Sequence, residues 1–391
     1  VDLTGLYFHI PWCRQVCHYC DFAKTANHDE NRRRDFLDHL VAHTRVWLDW
    51  YGRQGLPAFS SVFFGGGTPS IYGPEYQSLF AVMRPFLTSD AEVTLEANPD
   101  DITPDRLSTW QQVGVNRLSI GVQTFEAAGL TRMHRVHSGE EALAAIAAAR
   151  QVFSRVNIDL IYGWDGQTEA DWQRDLQTAI RAGVPHLSLY NLTYEPRTVI
   201  GRRAARGRII PADEERLEGF YSTARSLLGA AGFDHEEVSN WSRPGHSCRH
   251  NWLYWSGGLY LGIGPGAHGY LPAADGIGVR YAYPRNERQF AAPLDEGGRA
   301  GLPLGGLEVE EDRTMDSWIV EMVGASLRTV RGVDLHGIAK NSGRSFTPGA
   351  VLTEGLIHGQ VRLSSDKRFL TADPGEWFRE QYWALAVIDS F

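Results

Sequence analysis

Cysteine is scarce: the 391 residues contain four. The first residues, Val1-Asp2-Leu3-Thr4, carry neither a basic stretch nor an apolar one, so no secretory signal is expected. So few cysteines exclude a disulfide framework and point to a reducing, cytoplasmic compartment. Positive charge is also short. Lys and Arg number 38 against 47 Asp and Glu, a net charge of −9, which gives no electrostatic reason to expect nucleic acid as a partner. No apolar run approaches the length of a membrane span, so a membrane-bound partner would be met only peripherally. Beyond the alanine-rich stretch 142–150, no internal repeat or low-complexity tract stands out. What is present is ordinary for a globular chain, with 43% hydrophobic and 22% charged residues. The length suits one large domain plus a smaller one. The 12 Trp suit a core, and they equally suit a flat π-ligand.

Three of the four cysteines, Cys13, Cys17 and Cys20, fall together at CxxxCxxC spacing; the fourth, Cys248, is remote. Short cysteine spacings serve zinc sites, disulfides and small buried hydrophobes as well as iron–sulfur clusters. A structural zinc site wants four ligands, and here a histidine or Cys248 would have to complete it. Three thiolates hold three irons of a [4Fe-4S] cube and leave the fourth open, whereas such cubes ordinarily take four. An open iron is a place for chemistry rather than only for electron storage.

Short apolar runs at 6–10, 61–64, 92–96, 117–121, 157–162 and 186–191 read as strands, each ending at glycine, proline or a polar residue. Helical patterns at 30–50, 74–86, 104–113, 139–153 and 169–182 separate them, and another follows at 211–229. Alternating βα units imply a parallel sheet with right-handed crossovers, here an α/β partial TIM-like barrel. The cysteine loop, the glycine run at 65–67, Glu96, Gln123 and Asp159 each follow a strand, at the edge where such barrels carry their sites. After Tyr270 the texture changes to loops, with helical patterns at 311–328 and 374–386. The expected domains are 1–270, the barrel, and 271–391, a smaller and mainly helical accessory domain.

The stretch from Tyr7-Phe8-His9-Ile10-Pro11-Trp12-Cys13 through Cys20-Asp21-Phe22 resembles the cluster loop of radical S-adenosylmethionine (SAM) proteins. It is most similar to the branch holding oxygen-independent coproporphyrinogen III dehydrogenases and HemW-type heme chaperones. The match continues through Gly65-Gly66-Gly67-Thr68-Pro69, Glu96-Ala97-Asn98-Pro99, Gly121-Val122-Gln123, Arg135 and 157–163, and reaches His250-Asn251-Trp252-Leu253-Tyr254-Trp255. The resemblance implies a (β/α)6 partial barrel with Cys13, Cys17 and Cys20 as ligands of a [4Fe-4S] cluster. SAM would close the fourth iron through its amino and carboxylate groups, and a reduced cluster would release a 5′-deoxyadenosyl radical from it. Gly66, Gly67 and Thr68 would contact SAM, Tyr7 would lie beside it, and Tyr19 would offer a face to adenine. Arg135 would take the methionine carboxylate, as its planar fork suits. Glu96, Gln123 and Asp159 would take amino and ribose groups.

Two departures stand out. The coproporphyrinogen enzymes carry a further cysteine two residues after the third; here that residue is Phe22. Trp164-Asp165 replace the Leu-Pro usual in relatives and so bear on how the adenine side closes. The segment 250–255 resembles the HNxxYW signature of HemW-type proteins, which makes His250 an expected heme ligand and Tyr254 and Trp255 packing faces for a porphyrin. On the residues alone, a satisfied core histidine with core aromatics fits as well. His268, in the glycine-rich turn 262–269, is a second histidine available to heme. The expected function is a radical SAM heme chaperone with a [4Fe-4S] cluster, SAM and heme. Its partners would be a heme-acceptor protein and an electron donor. The alternative is radical decarboxylation of coproporphyrinogen III propionates. Whether the chain is itself an enzyme stays open at this point.

Overall fold

The computed structural model describes residues 3–273, 276–291, 297–310 and 312–391. Strand and helix alternate from the start: β1 (Thr4–Ile10), α1 (Glu30–Arg53), β2 (Phe59–Gly66), α2 (Gln77–Met83), β3 (Leu87–Ala97), α3 (Pro104–Val113), β4 (Arg117–Gln123), α4 (Ala127–Met133), α5 (Gly139–Val152), β5 (Arg155–Tyr162), α6 (Glu169–Ala182) and β6 (His186–Asn191). Asp29 and Thr103 cap α1 and α3, and Ser138 and Thr168 form capping boxes on α5 and α6. The helix expected over 74–86 is shortened to α2 between two 3-10 turns, each carrying a proline that cannot donate to the helix ladder.

Strands β1 to β6 lie side by side in chain order, all parallel. Their two faces differ chemically. One face carries Phe8, Phe64, Leu95, Ile120, Ile158 and Leu187, all buried in the main core. The other carries Tyr7, Phe63, Thr94, Ser119, Asn157 and Ser188, which line a cavity of about 820 Å³. A closed eight-stranded barrel fills its interior with branched apolar side chains. This partial barrel has a polar interior and keeps it open.

Beyond β6 come α7 (Val199–Ala205), α8 (Glu214–Ala230), β7 (Asp234–Glu237), β8 (Asn240–Ser242), α9 (Arg249–Trp255), β9 (Leu259–Ile263), β10 (His268–Leu271), β11 (Val279–Ala282), α10 (Glu287–Phe290) and β12 (Glu308–Val309). The sheet order is β12-β11-β10-β9-β1-β2-β3-β4-β5-β6-β8-β7. Strand β9 pairs parallel with β1, so a seventh parallel strand joins the six read from the sequence. The change of texture at residue 270 falls inside this sheet, because β11 and β12 extend it to Val309.

The C-terminal part holds α11 (Met315–Leu327), β13 (Val333–Asp334), α12 (Leu335–Ser342), α13 (Ala350–Ile357), β14 (Val361–Leu363), β15 (Phe369–Ala372) and α14 (Glu380–Ile388). It is mainly helical, with a three-stranded sheet ordered β13-β15-β14. It docks on the far edge of the main sheet, where Val238 N–H donates to Arg328 O and Val330 N–H to Glu236 O, both at 3.0 Å. The Arg331 guanidinium sits 3.8 Å above the Trp252 ring of α9.

Candidate cofactor site

The cavity opens at the C-terminal ends of β1 to β6. Cys13, Cys17, Cys20, Tyr7, Tyr19, Gly66, Gly67, Thr68, Glu96, Gln123, Arg135 and Asp159 all line it, so chain positions more than a hundred residues apart meet on one wall. The cysteine loop is pinned from both sides. His18 N–H donates to Met133 O at 3.2 Å, Gln15 Nε2 donates to His134 O at 2.9 Å, and the His18 and His134 rings stack at 4.2 Å. Arg14 pairs with Asp100 and Asp101 beyond the end of β3. Behind Tyr19, Trp164 is buried with Met133, Ile161, Leu192 and Ile200. The departure at 164 therefore backs the wall instead of facing the cavity.

Burial pushes the Cys13 thiol up to about 12, against a hydrogen bond with Thr68, and the neighbouring Cys20 and Cys17 sulfurs raise it further. Burial also raises Cys20, against the pull of Lys24. Among the described residues no three His, Cys, Asp or Glu side chains are placed to hold a metal ion. The three sulfurs instead stand within electrostatic reach of one another along one wall. That donor set suits a soft iron–sulfide cluster large enough to bridge separated thiolates. Cys248 has no part in it. It is buried, its thiol lies 3.5 Å from Glu92 Oε1, and burial lifts it to about 12.

The glycine run meets the cysteine loop directly. Gly67 N–H donates to Ile10 O at 2.7 Å, and a Cβ on Gly67 would stand 2.7 Å from Trp12 O and 2.9 Å from Cys13 Sγ. Only glycine allows that approach. Gly66 N–H donates to Glu96 Oε2 at 3.1 Å. Thr68, Asn98, Arg135 and Cys17 form a chain. Asn98 Nδ2 donates to Thr68 Oγ1 at 3.3 Å, Arg135 Nη2 to Asn98 Oδ1 at 2.7 Å, and Arg135 Nη1 to Cys17 Sγ at 3.4 Å. Arg135 Nε is buried with no hydrogen-bond partner. A buried guanidinium with an unused donor suits an anionic ligand group.

Glu96 and Asp159 are the buried carboxyls of the cavity lining. Burial and then Asp159 raise Glu96 to about 8. Burial raises Asp159 to about 6, although it accepts from Ser119 Oγ at 3.1 Å and Asn157 Nδ2 at 2.8 Å. Two buried carboxyls, one of them held protonated partly by the other, suit a cationic ligand such as a sulfonium or ammonium. Gln123 is held at a left-handed φ of 69°. The turn after it is fixed by Asp175 of α6, which accepts from Thr124 Oγ1 at 2.6 Å and Phe125 N–H at 2.8 Å.

The 250–255 segment divides. Tyr254 lines the cavity and is 38% exposed. His250 does not line it. His250 is 1% exposed, its Nδ1 lies 2.9 Å from Ser61 Oγ, its Nε2 lies 2.9 Å from Tyr254 OH, and Phe63 stacks on its ring. Burial lowers it to about 3. Both nitrogens of the imidazole expected as a heme ligand thus have partners within the fold. Trp255 also leaves the cavity and hydrogen-bonds Glu237. Asn98, Ser119, Asn157, Ser188 and Asp175 build the site without having been singled out from the sequence. Their signal was the polar alternation inside otherwise apolar strands, and for Asp175 there was none.

The model of the radical SAM superfamily matches residues 7–179. The heme chaperone HemW of Escherichia coli is 40% identical over 290 residues, 73% of this chain and 75% of that protein. HemW of Mycobacterium tuberculosis is 35% identical over 380 residues, 94% of this chain and 93% of that one. The structure of Escherichia coli coproporphyrinogen III oxidase, HemN, described as a radical SAM enzyme, superposes with a TM-score of 0.75 at 22% identity, covering 98% of this chain and 90% of that one. That likeness is one of fold.

Proposed function

The chain belongs to the HemW heme-chaperone family of radical SAM proteins, and on that premise we propose that it binds heme and passes it to an acceptor protein. The observation that carries this reading is the extent of the HemW relationship, which takes in 94% of the chain, C-terminal part included. Phe22 supports it. This side chain is 66% exposed on the cavity wall, where the coproporphyrinogen enzymes carry a further cysteine.

In this reading Cys13, Cys17 and Cys20 hold the [4Fe-4S] cluster. Gly66, Gly67 and Thr68 seat the methionine part of SAM, and Tyr7 and Tyr19 flank it. Arg135 binds the methionine carboxylate. Glu96 and Asp159, with Gln123, take the ammonium and ribose groups. A cluster held there would, when reduced, be able to supply an electron to the sulfonium of bound SAM. The residues around it would orient SAM, and the Glu96 carboxyl would give up its proton when the positive charge of SAM arrives. The acceptor is a separate protein. No helix among the described residues is long and apolar enough to cross a membrane.

The test is anaerobic incubation of the reconstituted, reduced protein with SAM and either heme or coproporphyrinogen III. Stoichiometric heme uptake and release to an apo-hemoprotein, without vinyl products, is the expected result. Turnover of coproporphyrinogen would overturn the reading in favour of the decarboxylase.

A further inference from the structure

The glycine-rich turn after β9 is not used by the SAM reading, yet its glycines are sterically required. A Cβ on Gly262 would stand 1.8 Å from His268 O, and one on Gly264 would stand 2.4 Å from His9 O. Gly262 lies opposite Tyr7 in the β1–β9 pairing. The turn therefore folds tightly onto β1, at the root of the cysteine loop, and delivers His268 to the cavity wall.

His268 differs from the other histidines of that wall. His9 bonds Tyr7 OH at 3.0 Å and Ala23 O at 2.7 Å. His186 bonds Asn157 Oδ1 at 2.6 Å and is fully buried. The His268 side chain makes no hydrogen bond among the described residues, and the residue is exposed on the cavity wall. The surrounding walls and the nearby Arg280 favour its neutral form, the form that ligates iron. The same cavity exposes Phe22, Tyr190 and Tyr254, at 66%, 42% and 38%. Aromatic faces gathered in one concave pocket are a usual mark of a ligand site. Heme is flat and apolar, and its iron takes a neutral imidazole.

We infer that His268, and not His250, is the residue of this chain that takes heme iron, with Phe22 and Tyr254 among the aromatic faces around the porphyrin. The inference rests on the heme reading above. It assigns an iron ligand outside the HNxxYW segment, since the His250 nitrogens are spent on Ser61 and Tyr254.

The experiment titrates hemin into the full chain with its cluster reconstituted, comparing wild type, His268→Ala, His268→Met and His250→Gln. The readouts are the Soret band, the ligand-field bands and the dissociation constant. Expected are a weakening of about tenfold or more in His268→Ala and a shifted spectrum in His268→Met, with iron and sulfide content unchanged in both. His250→Gln should keep the wild-type spectrum. Wild-type spectra and affinity in both His268 variants would overturn the assignment and leave the heme reading standing. A wild-type protein that takes up no heme would overturn both.

Discussion

Glu96 is the cavity carboxyl with the largest share in the pH behaviour of the ligand-free protein. Unfolded, Glu96 ionises near its ordinary 4.5; folded, burial and Asp159 hold its proton to about 8. The folded state binds the extra proton, so stability falls as pH rises from the unfolded value to the folded one and levels off above it. Glu96→Gln should remove the share of this fall that Glu96 contributes, leaving that of the other buried carboxyls. Thermal melts at pH 5 and pH 9 would check it, and an unchanged pH dependence in the variant would refute the burial argument. SAM, which brings positive charge to the same wall, should stabilise wild type more than Glu96→Gln at pH 8. A second residue-scale prediction concerns the cysteines. Cys17→Ala should lose most of the iron and sulfide, and Cys248→Ala should keep them, because Cys248 lies by Glu92 on the floor of the cavity. Equal metal content in the two variants would remove Cys17 from the ligand set.

At the scale of elements, the strands were legible because each carries both its signals. Apolar residues alternate with polar ones, and in β4 and β5 Leu118 and Ile120, or Ile158 and Leu160, face the helices while Ser119 or Asn157 and Asp159 face inward. The order of motifs after successive strands placed most of the SAM-type residues on the cavity wall. Sheet neighbours far apart in sequence were not legible. Nothing local to 259–263 says that it pairs with β1, and nothing at 270 says that the sheet continues. The HNxxYW segment is a similar case, since nothing local to it announces that its histidine meets Ser61, 189 residues away. Asp175 belongs to this scale too. It ties α6 to the turn that sets Gln123, and it is fully buried with burial raising its carboxyl to about 7. Asp175→Ala leaves two buried donors unpaired, which should cost about 1–3 kcal/mol and weaken SAM binding. Chemical denaturation and equilibrium dialysis would measure both. Unaltered SAM affinity in a destabilised variant would confine Asp175 to the fold.

The whole molecule turns on α9, which is shared by the cavity and the C-terminal part. From one side of this short helix His250 and Tyr254 reach Ser61 and the cavity. From the other, Trp252 lies under Arg331, and Trp255 O accepts from Ser326 Oγ of α11 at 3.4 Å. The attachment is reinforced at the sheet edge, where His235 of β7 meets Trp377 edge to face at 4.6 Å. The C-terminal part is therefore bonded to the same seven-residue helix whose other face supports Tyr7 and Phe63. Trp252→Ala removes the aromatic half of this junction. It should cost about 3–5 kcal/mol, and the loss should concentrate at the joint between the two parts, since the barrel strands keep their own core. Limited proteolysis would then release a fragment beginning near β12, while iron and sulfide content stays near that of wild type. If the variant melts in one transition with its cluster, the barrel and the C-terminal part form one cooperative unit, and α9 transmits loss at either face to the other.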